Sequence, residues 1–105
     1  MARVYKHALV NKATAATHTI VAAVTGHKLV VVAYALVAAG SQTAAWKDSA
    51  GTPIELSGAM TMATGVPIVC PECSAGWFRT TASKALTLVL SGTVQVSGHV
   101  VYYEE

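Results

Sequence analysis

The sequence predicts an all-β domain, a jelly-roll-like antiparallel β-sandwich with a short extended N-terminal arm. Short runs of β-branched residues recur at spacings of roughly 8 to 12 residues from residue 17 onward, a pattern typical of sandwiches and barrels. Helical signals are almost absent, because the one alanine-rich stretch, at residues 12–16, is too short to form a stable helix. A length of 105 residues suits a single domain.

Each predicted strand is a run of apolar or β-branched residues bounded by turn-forming residues. The run at residues 27–37 is almost continuously apolar, which indicates a central strand covered by the core on one face and by a neighbouring strand or chain on the other. A two-residue turn at Ser91 and Gly92 predicts that the last two strands pair with each other. The last strand has an inward face of Val94, Val96, Val100 and Tyr102. The predicted strands are residues 18–24, 27–37, 42–47, 59–63, 85–90 and 93–103, with an edge strand or strand start at 54–56 after Pro53.

The predicted organisation is an arm at residues 1–16, lying outside the sandwich, and a sandwich domain at residues 17–105. Within the domain, Trp46 is expected to face the core. Met60 and Met62 share one face of their strand and are expected to be adaptable core filler.

Composition excludes several classes of function. Charged residues make up 11% of the chain, against a usual share of about a quarter, and apolar residues make up 53%. A surface so poor in charge predicts exposed apolar patches, which usually mark association surfaces, so we expect a homo-oligomer or part of a larger assembly. The net charge of +2 comes from scattered residues, which argues against nucleic-acid binding.

No membrane partner is predicted, because the longest apolar run, residues 29–39, is shorter than the roughly 20 residues that a spanning helix needs. The apolar run after Arg3 and Lys6 ends at Asn11, before a secretory signal core could form. We therefore expect synthesis in the cytoplasm.

Cys70 and Cys73 form the first candidate site, a Cys-Pro-Glu-Cys run. Two thiolates at this spacing could hold zinc, but a closed site needs two further ligands, and no second cysteine pair or paired histidine motif supplies them. A redox pair would be expected at the start of a helix after a strand, and that context is missing. A disulfide and a pair of reduced thiols both remain open.

Catalytic and cofactor motifs are not recognisable, so we expect no enzyme, no cofactor and no metal. The four histidines have no carboxylate or nucleophile placed beside them by a motif. Trp77 and Phe78 form the second candidate site, because an aromatic pair after Gly76 either plugs the end of the sandwich or docks into a partner.

Several segments in order, covering most of the chain after residue 16, resemble a group of small structural proteins of tailed bacteriophages. The segments are residues 19–24 with Gly26, His27 and Lys28; residues 29–39; residues 56–60; Gly76, Trp77 and Phe78; and residues 85–92 with 94–98, Val100 and Tyr102. The Cys70 to Cys73 run is not part of that pattern, and the family offers no catalytic residue to carry over.

The resemblance implies a virion protein with a jelly-roll-like sandwich, trimeric, that decorates or cements the capsid by binding between subunits of the major capsid protein or to another virion protein. The alternative is a fibre, collar or tail accessory module that binds a host glycan or another tail protein. A glycan site would use Trp77 with Tyr102 or Tyr103 as its exposed aromatic set.

Overall fold

A computed structural model of the chain describes residues 4–50 and 55–105. This part of the chain forms nine strands and no helix, which confirms the all-β prediction. The strands are β1 (Lys6–Lys12), β2 (Thr17–Val21), β3 (Leu29–Ala38), β4 (Gln42–Asp48), β5 (Met60–Met62), β6 (Ile68–Cys70), β7 (Phe78–Arg79), β8 (Leu86–Leu90) and β9 (Val96–Glu104).

The strands form two antiparallel sheets that pack face to face. Sheet I has the order β1-β9-β3-β6, with the short β7 also paired to β3. Sheet II has the order β2-β8-β4-β5. With β7 set aside, the pairing is nested: β1 pairs with β9, β2 with β8, β3 with β6 and β4 with β5. Two further pairs complete the sheets: β3 with β9 in sheet I, and β4 with β8 in sheet II.

The core lies between the sheets and is built from alternate residues of each strand. Trp46 on β4 is fully buried, as predicted, and Met62 is buried while Met60 packs against the same cluster. Sheet I contributes Val10, Leu29, Val31, Tyr34, Leu36, Ala38, Val96 and Val100, and sheet II contributes Val21, Ala44, Trp46, Met62, Leu86, Leu88 and Leu90.

The last two strands do not pair with each other, so the predicted hairpin is wrong. β8 lies in sheet II and β9 in sheet I, and residues 91–95 cross between the sheets. The side chain of Gln42 holds this crossing: its Nε2 donates to the Val94 carbonyl at 2.8 Å, and its Oε1 accepts from the Gly92 N–H at 3.1 Å. Each strand has one apolar face, and placing the two strands in opposite sheets lets both faces meet in the same core.

The predicted N-terminal arm is also wrong for residues 6–12, which form the edge strand β1 against β9. Val10 points inward and is buried, and Ala8 packs against the same core. Deleting residues 1–16 would therefore remove a strand and uncover core. The predicted strand at 54–56 begins outside the described residues together with Pro53, although Glu55 forms an isolated bridge to Lys47.

Candidate functional site: the outer face of sheet I

The central rows of the face of sheet I that points away from the core carry no carboxylate, lysine or arginine, whereas Arg79, paired with Val30 at one end of the face, forms an ion pair with Glu105. The strand register aligns Leu9, His99, Ala35 and Val69 in one row across β1, β9, β3 and β6. Leu9 is 75% exposed and Val69 is 65% exposed. The two flanking rows hold His7, Val101 and Ala33 on one side, and Asn11, Ser97 and Val37 on the other. Carboxylates, lysines and arginines are missing from these three rows.

The outer face of sheet II has the opposite character. Thr87 pairs with Thr19 on one side and with Lys47 on the other, and Thr43 pairs with Thr61. Five threonines and a lysine share this face with Ala45 and Val89. Thr87 is buried and donates its hydroxyl to the Lys47 carbonyl, whereas Thr17, Thr19 and Thr61 are exposed and can hydrogen-bond to water. The two outer faces of the sandwich therefore differ in polarity.

One end of the outer face of sheet I is raised by the segment at residues 71–77. This segment folds over Val30 and Val32, and its backbone is tied to β3 by bonds from Cys73 N–H to the Val32 carbonyl, at 2.9 Å, and from Trp77 N–H to the Val31 carbonyl, at 2.8 Å. Gly76 permits this close approach, because a Cβ there would lie 2.3 Å from Val30 Cγ1 and its φ is +88°.

The aromatic pair Trp77 and Phe78 is divided between the two sides of sheet I. Phe78 points inward and joins an aromatic cluster, with its ring centroid 6.3 Å from that of Tyr34 and 6.4 Å from that of Trp46. Trp77 is 49% exposed, and its Nε1–H donates to the Pro71 carbonyl at 2.7 Å. Phe78 therefore packs against the core, and Trp77 is the exposed member of the pair.

The other end of the same face contains a shallow depression of about 290 Å³. It lies at the end of β3, beside residues 64 and 65, where the Gly65 N–H donates to the Ala38 carbonyl at 2.9 Å. Its lining carries no ionisable side chain and consists of Val37, Ala38, Ala39, Thr64, Gly65, Gln95 and Ser97.

Cys70 and Cys73 are both partly buried free thiols in the structure. Cys70 lies on β6 opposite Tyr34 and packs against the core. Burial raises the pKa of the Cys70 thiol, and the nearby Cys73 raises it further. A raised pKa keeps the thiol protonated at neutral pH, whereas reactive cysteines have lowered pKa values. Within residues 4–50 and 55–105, three or more His, Cys, Asp or Glu side chains do not converge as a metal site would require.

Asp48, the last residue of β4, carries a buried carboxylate. Its Oδ2 accepts from Thr81 N–H at 3.1 Å and from Thr81 Oγ1 at 2.7 Å, and its Oδ1 accepts from Ala50 N–H at 3.1 Å. The bond to Ala50, two residues along the chain, is the local turn that an aspartate side chain commonly forms. Thr81 lies 33 residues further along the chain, so its contact with Asp48 depends on the packing of the two loops. The Asp48 carboxylate therefore links the loop that follows β4 to the loop that contains Thr81.

The tyrosines expected to join Trp77 in a glycan site are not exposed beside it. Tyr103 is only 3% exposed, and its ring packs edge-on against Tyr5 with centroids 5.8 Å apart. Tyr102 is half-buried against the core. An exposed aromatic platform built from Trp77 and these two tyrosines is therefore not formed.

The fold and this face define an all-β sandwich with one apolar outer surface. Comparison with family models, with curated proteins and with solved structures finds no match. In the described part of the chain, no helix has the length and apolar character needed to cross a membrane.

Proposed function

We propose that the chain is a structural protein of a tailed-bacteriophage virion, a capsid decoration or cement protein that binds between capsid subunits and performs no catalysis. The observation that carries this proposal is the contrast between the outer faces of the two sheets. Leu9 and Val69 are large, exposed apolar side chains in a row without charge, whereas the opposite face is rich in threonine.

The nested strand pairing supports a jelly-roll assignment within this proposal. A jelly roll has eight strands in two four-stranded sheets. The first strand here pairs with the last, the second with the next to last, and so on to the β4·β5 pair at the centre, when β7 is counted as an addition to β3. Each strand is therefore hydrogen-bonded to the strand that lies equally far from the other end of this series of eight.

The proposed mechanism is burial of apolar surface repeated many times over a shell. Each exposed apolar side chain that leaves water contributes about 25 cal/mol per Å² of buried area. A single domain would bind modestly, but copies joined to one another bind with a gain from multivalency. The resemblance to phage structural proteins implies that these copies form trimers, and the central, charge-free rows of the outer face of sheet I are the surface through which we expect them to associate.

Copy number distinguishes this proposal from a tail, fibre or collar module, for which exposed Trp77 is the remaining support. The measurement is quantitative mass spectrometry of density-purified particles from the phage or lysogen that encodes the chain, referenced to the major capsid protein. Shell decoration predicts on the order of hundreds of copies per particle, because every repeated junction is a binding site. A few copies or dozens would favour the tail module, and no copies would overturn a virion role.

A further inference from the structure

We propose that His7 and His99 form a binding site for a divalent transition-metal ion, Ni²⁺, Cu²⁺ or Zn²⁺, on the outer face of sheet I. The site goes beyond the proposed function and does not rest on it, because it needs neither a capsid nor a second copy of the chain. Its two ligands come from β1 and β9, which are paired although they lie far apart in the sequence.

The strand register makes the two imidazoles diagonal neighbours. His7 pairs with Val101, and two residues further along β1, Leu9 pairs with His99. These residues lie on the outer face, because the alternate residues, of which Ala8 is one, turn toward the core. Diagonal neighbours on one face of an antiparallel pair are roughly 7–8 Å apart, with their Cβ atoms somewhat closer, and long or aromatic side chains reach across this distance.

One metal ion between the two rings fits this separation. Zn²⁺ binds a histidine nitrogen at about 2.0–2.1 Å, so two ring nitrogens on one tetrahedral ion lie roughly 3 Å from each other. Each imidazole extends from its Cβ and turns about two side-chain torsions. The two rings can therefore approach to this distance through a choice of rotamers, without movement of the strands.

Both rings are free to accept a ligand. His7 and His99 are exposed, and neither ring is hydrogen-bonded or ion-paired within the part of the chain that the structure describes. The other two histidines lie elsewhere. His18 is on β2 in sheet II, with its Nε2 2.8 Å from the Thr14 carbonyl oxygen, and His27 is in the loop between β2 and β3.

The surroundings of the pair favour a transition metal over a hard cation. Imidazole suits zinc, copper and nickel, whereas magnesium and calcium prefer carboxylate and carbonyl oxygens. The central rows of this face contain no carboxylate, and no lysine or arginine that would repel a cation.

The pair supplies two ligands, and water or a donor from a bound molecule fills the other positions. Within residues 4–50 and 55–105, no third histidine, cysteine or carboxylate converges on it. A closed structural zinc site has four protein ligands, so the ion bound here is exchangeable and the domain folds without it. The expectation of no metal came from sequence motifs, and this pair is created by strand register.

Isothermal titration of the untagged full chain with NiCl₂ tests the site. We expect one ion to bind, and His7→Gln and His99→Gln each to raise the dissociation constant at least about 10-fold, because one ligand alone lacks the gain from intramolecular binding of the second. His18→Gln is the matched control and is expected to change the constant less than about 2-fold, because His18 lies on sheet II. MgCl₂ is expected to give no binding.

Nuclear magnetic resonance of the unmodified chain gives a second readout that does not depend on any variant folding. Cu²⁺ is paramagnetic and is the most strongly bound ion of this series. Added in less than molar equivalence, it should broaden the ring signals of His7 and His99 together, before those of His18 and His27.

Two results would overturn the site. One is Ni²⁺ binding that is undetectable at about 1 mM, or that is unchanged in both His7→Gln and His99→Gln. The other is Cu²⁺ broadening of only one of these two rings, because the ion would then have a single histidine ligand. Neither result bears on copy number in particles, so the proposed function is tested separately.

Discussion

Gly98 is the position at which one added methyl group should do most damage to the sandwich. It lies in the middle of β9, between Val10 of β1 and Leu36 of β3, with a φ of +152°. A Cβ at this position would lie 1.9 Å from the Ala35 carbonyl oxygen, so reaching ordinary contact at 3.4 Å requires a local separation of about 1.5 Å between β3 and β9.

The cost of Gly98→Ala follows from that separation. A shift of this size breaks about two ladder hydrogen bonds, each worth roughly 1 kcal/mol. The unfavourable backbone conformation and the loosened packing of Leu36 add about 2 kcal/mol. The total of about 4 kcal/mol is a large part of the 5–15 kcal/mol that stabilises a typical domain.

Urea unfolding followed by circular dichroism measures this loss directly. Gly58→Ala is the matched control, because no heavy atom lies within 4 Å of a Cβ built there, and its stability should stay within about 0.5 kcal/mol of wild type. A Gly98→Ala variant within about 1 kcal/mol of wild type would show that β9 and β3 do not pack in this register.

Three further predictions concern single side chains. Asp48→Ala should lower the free energy of unfolding by about 3 kcal/mol in urea titration, because three donors lose a charged acceptor; a loss below about 1 kcal/mol would argue against the bonded loops. Phe78→Ala should cost about 3 kcal/mol and Trp77→Ala less than about 1 kcal/mol in the single chain, since only Phe78 joins the core cluster; equal losses would contradict the division of the pair. The Lys6–Glu104 ion pair lowers the pKa of Glu104 and raises that of Lys6, chiefly through their hydrogen bond. Its stabilisation is complete between the ordinary pKa values of 4.5 and 10.5, and is lost as the pH falls through the lowered Glu104 pKa or rises through the raised Lys6 pKa. Glu104→Gln should flatten both limbs of the stability–pH profile, and an unchanged acid limb would contradict it.

Most strands could be predicted from the sequence, because burial on one face imposes an alternation that is visible locally. β1 is not predicted, because little of that alternation is visible in its sequence. Only Ala8 and Val10 of this edge strand turn toward the core, and Leu9 between them is exposed, so the run resembles a solvated segment.

The connections between strands could not be predicted from local pattern. The Ser91 and Gly92 pair has the composition of a hairpin turn, yet the chain crosses there to the other sheet, where the apolar faces of β8 and β9 meet in one core and the distant side chain of Gln42 bonds to Gly92 and Val94. Turn composition reports the local backbone and carries no information about which sheet the next strand joins.

The candidate site likewise has one property that the sequence shows and one that it does not. Its richness in valine and alanine was visible in the composition, but the row from Leu9 to Val69 exists only through the register of four strands that are far apart in the chain. The separation of Trp77 from Phe78 depends on β7, a strand of two residues that is too short to leave a recognisable alternation.

Imaging the assembled particle by electron cryomicroscopy tests the central claim most directly. The account predicts the sandwich on the head, at junctions between capsid subunits, with the outer face of sheet I buried in contacts and the threonine-rich face of sheet II in solvent. A sandwich found only on the tail, or one that contacts its neighbours through the outer face of sheet II and leaves Leu9 and Val69 in water, would contradict it.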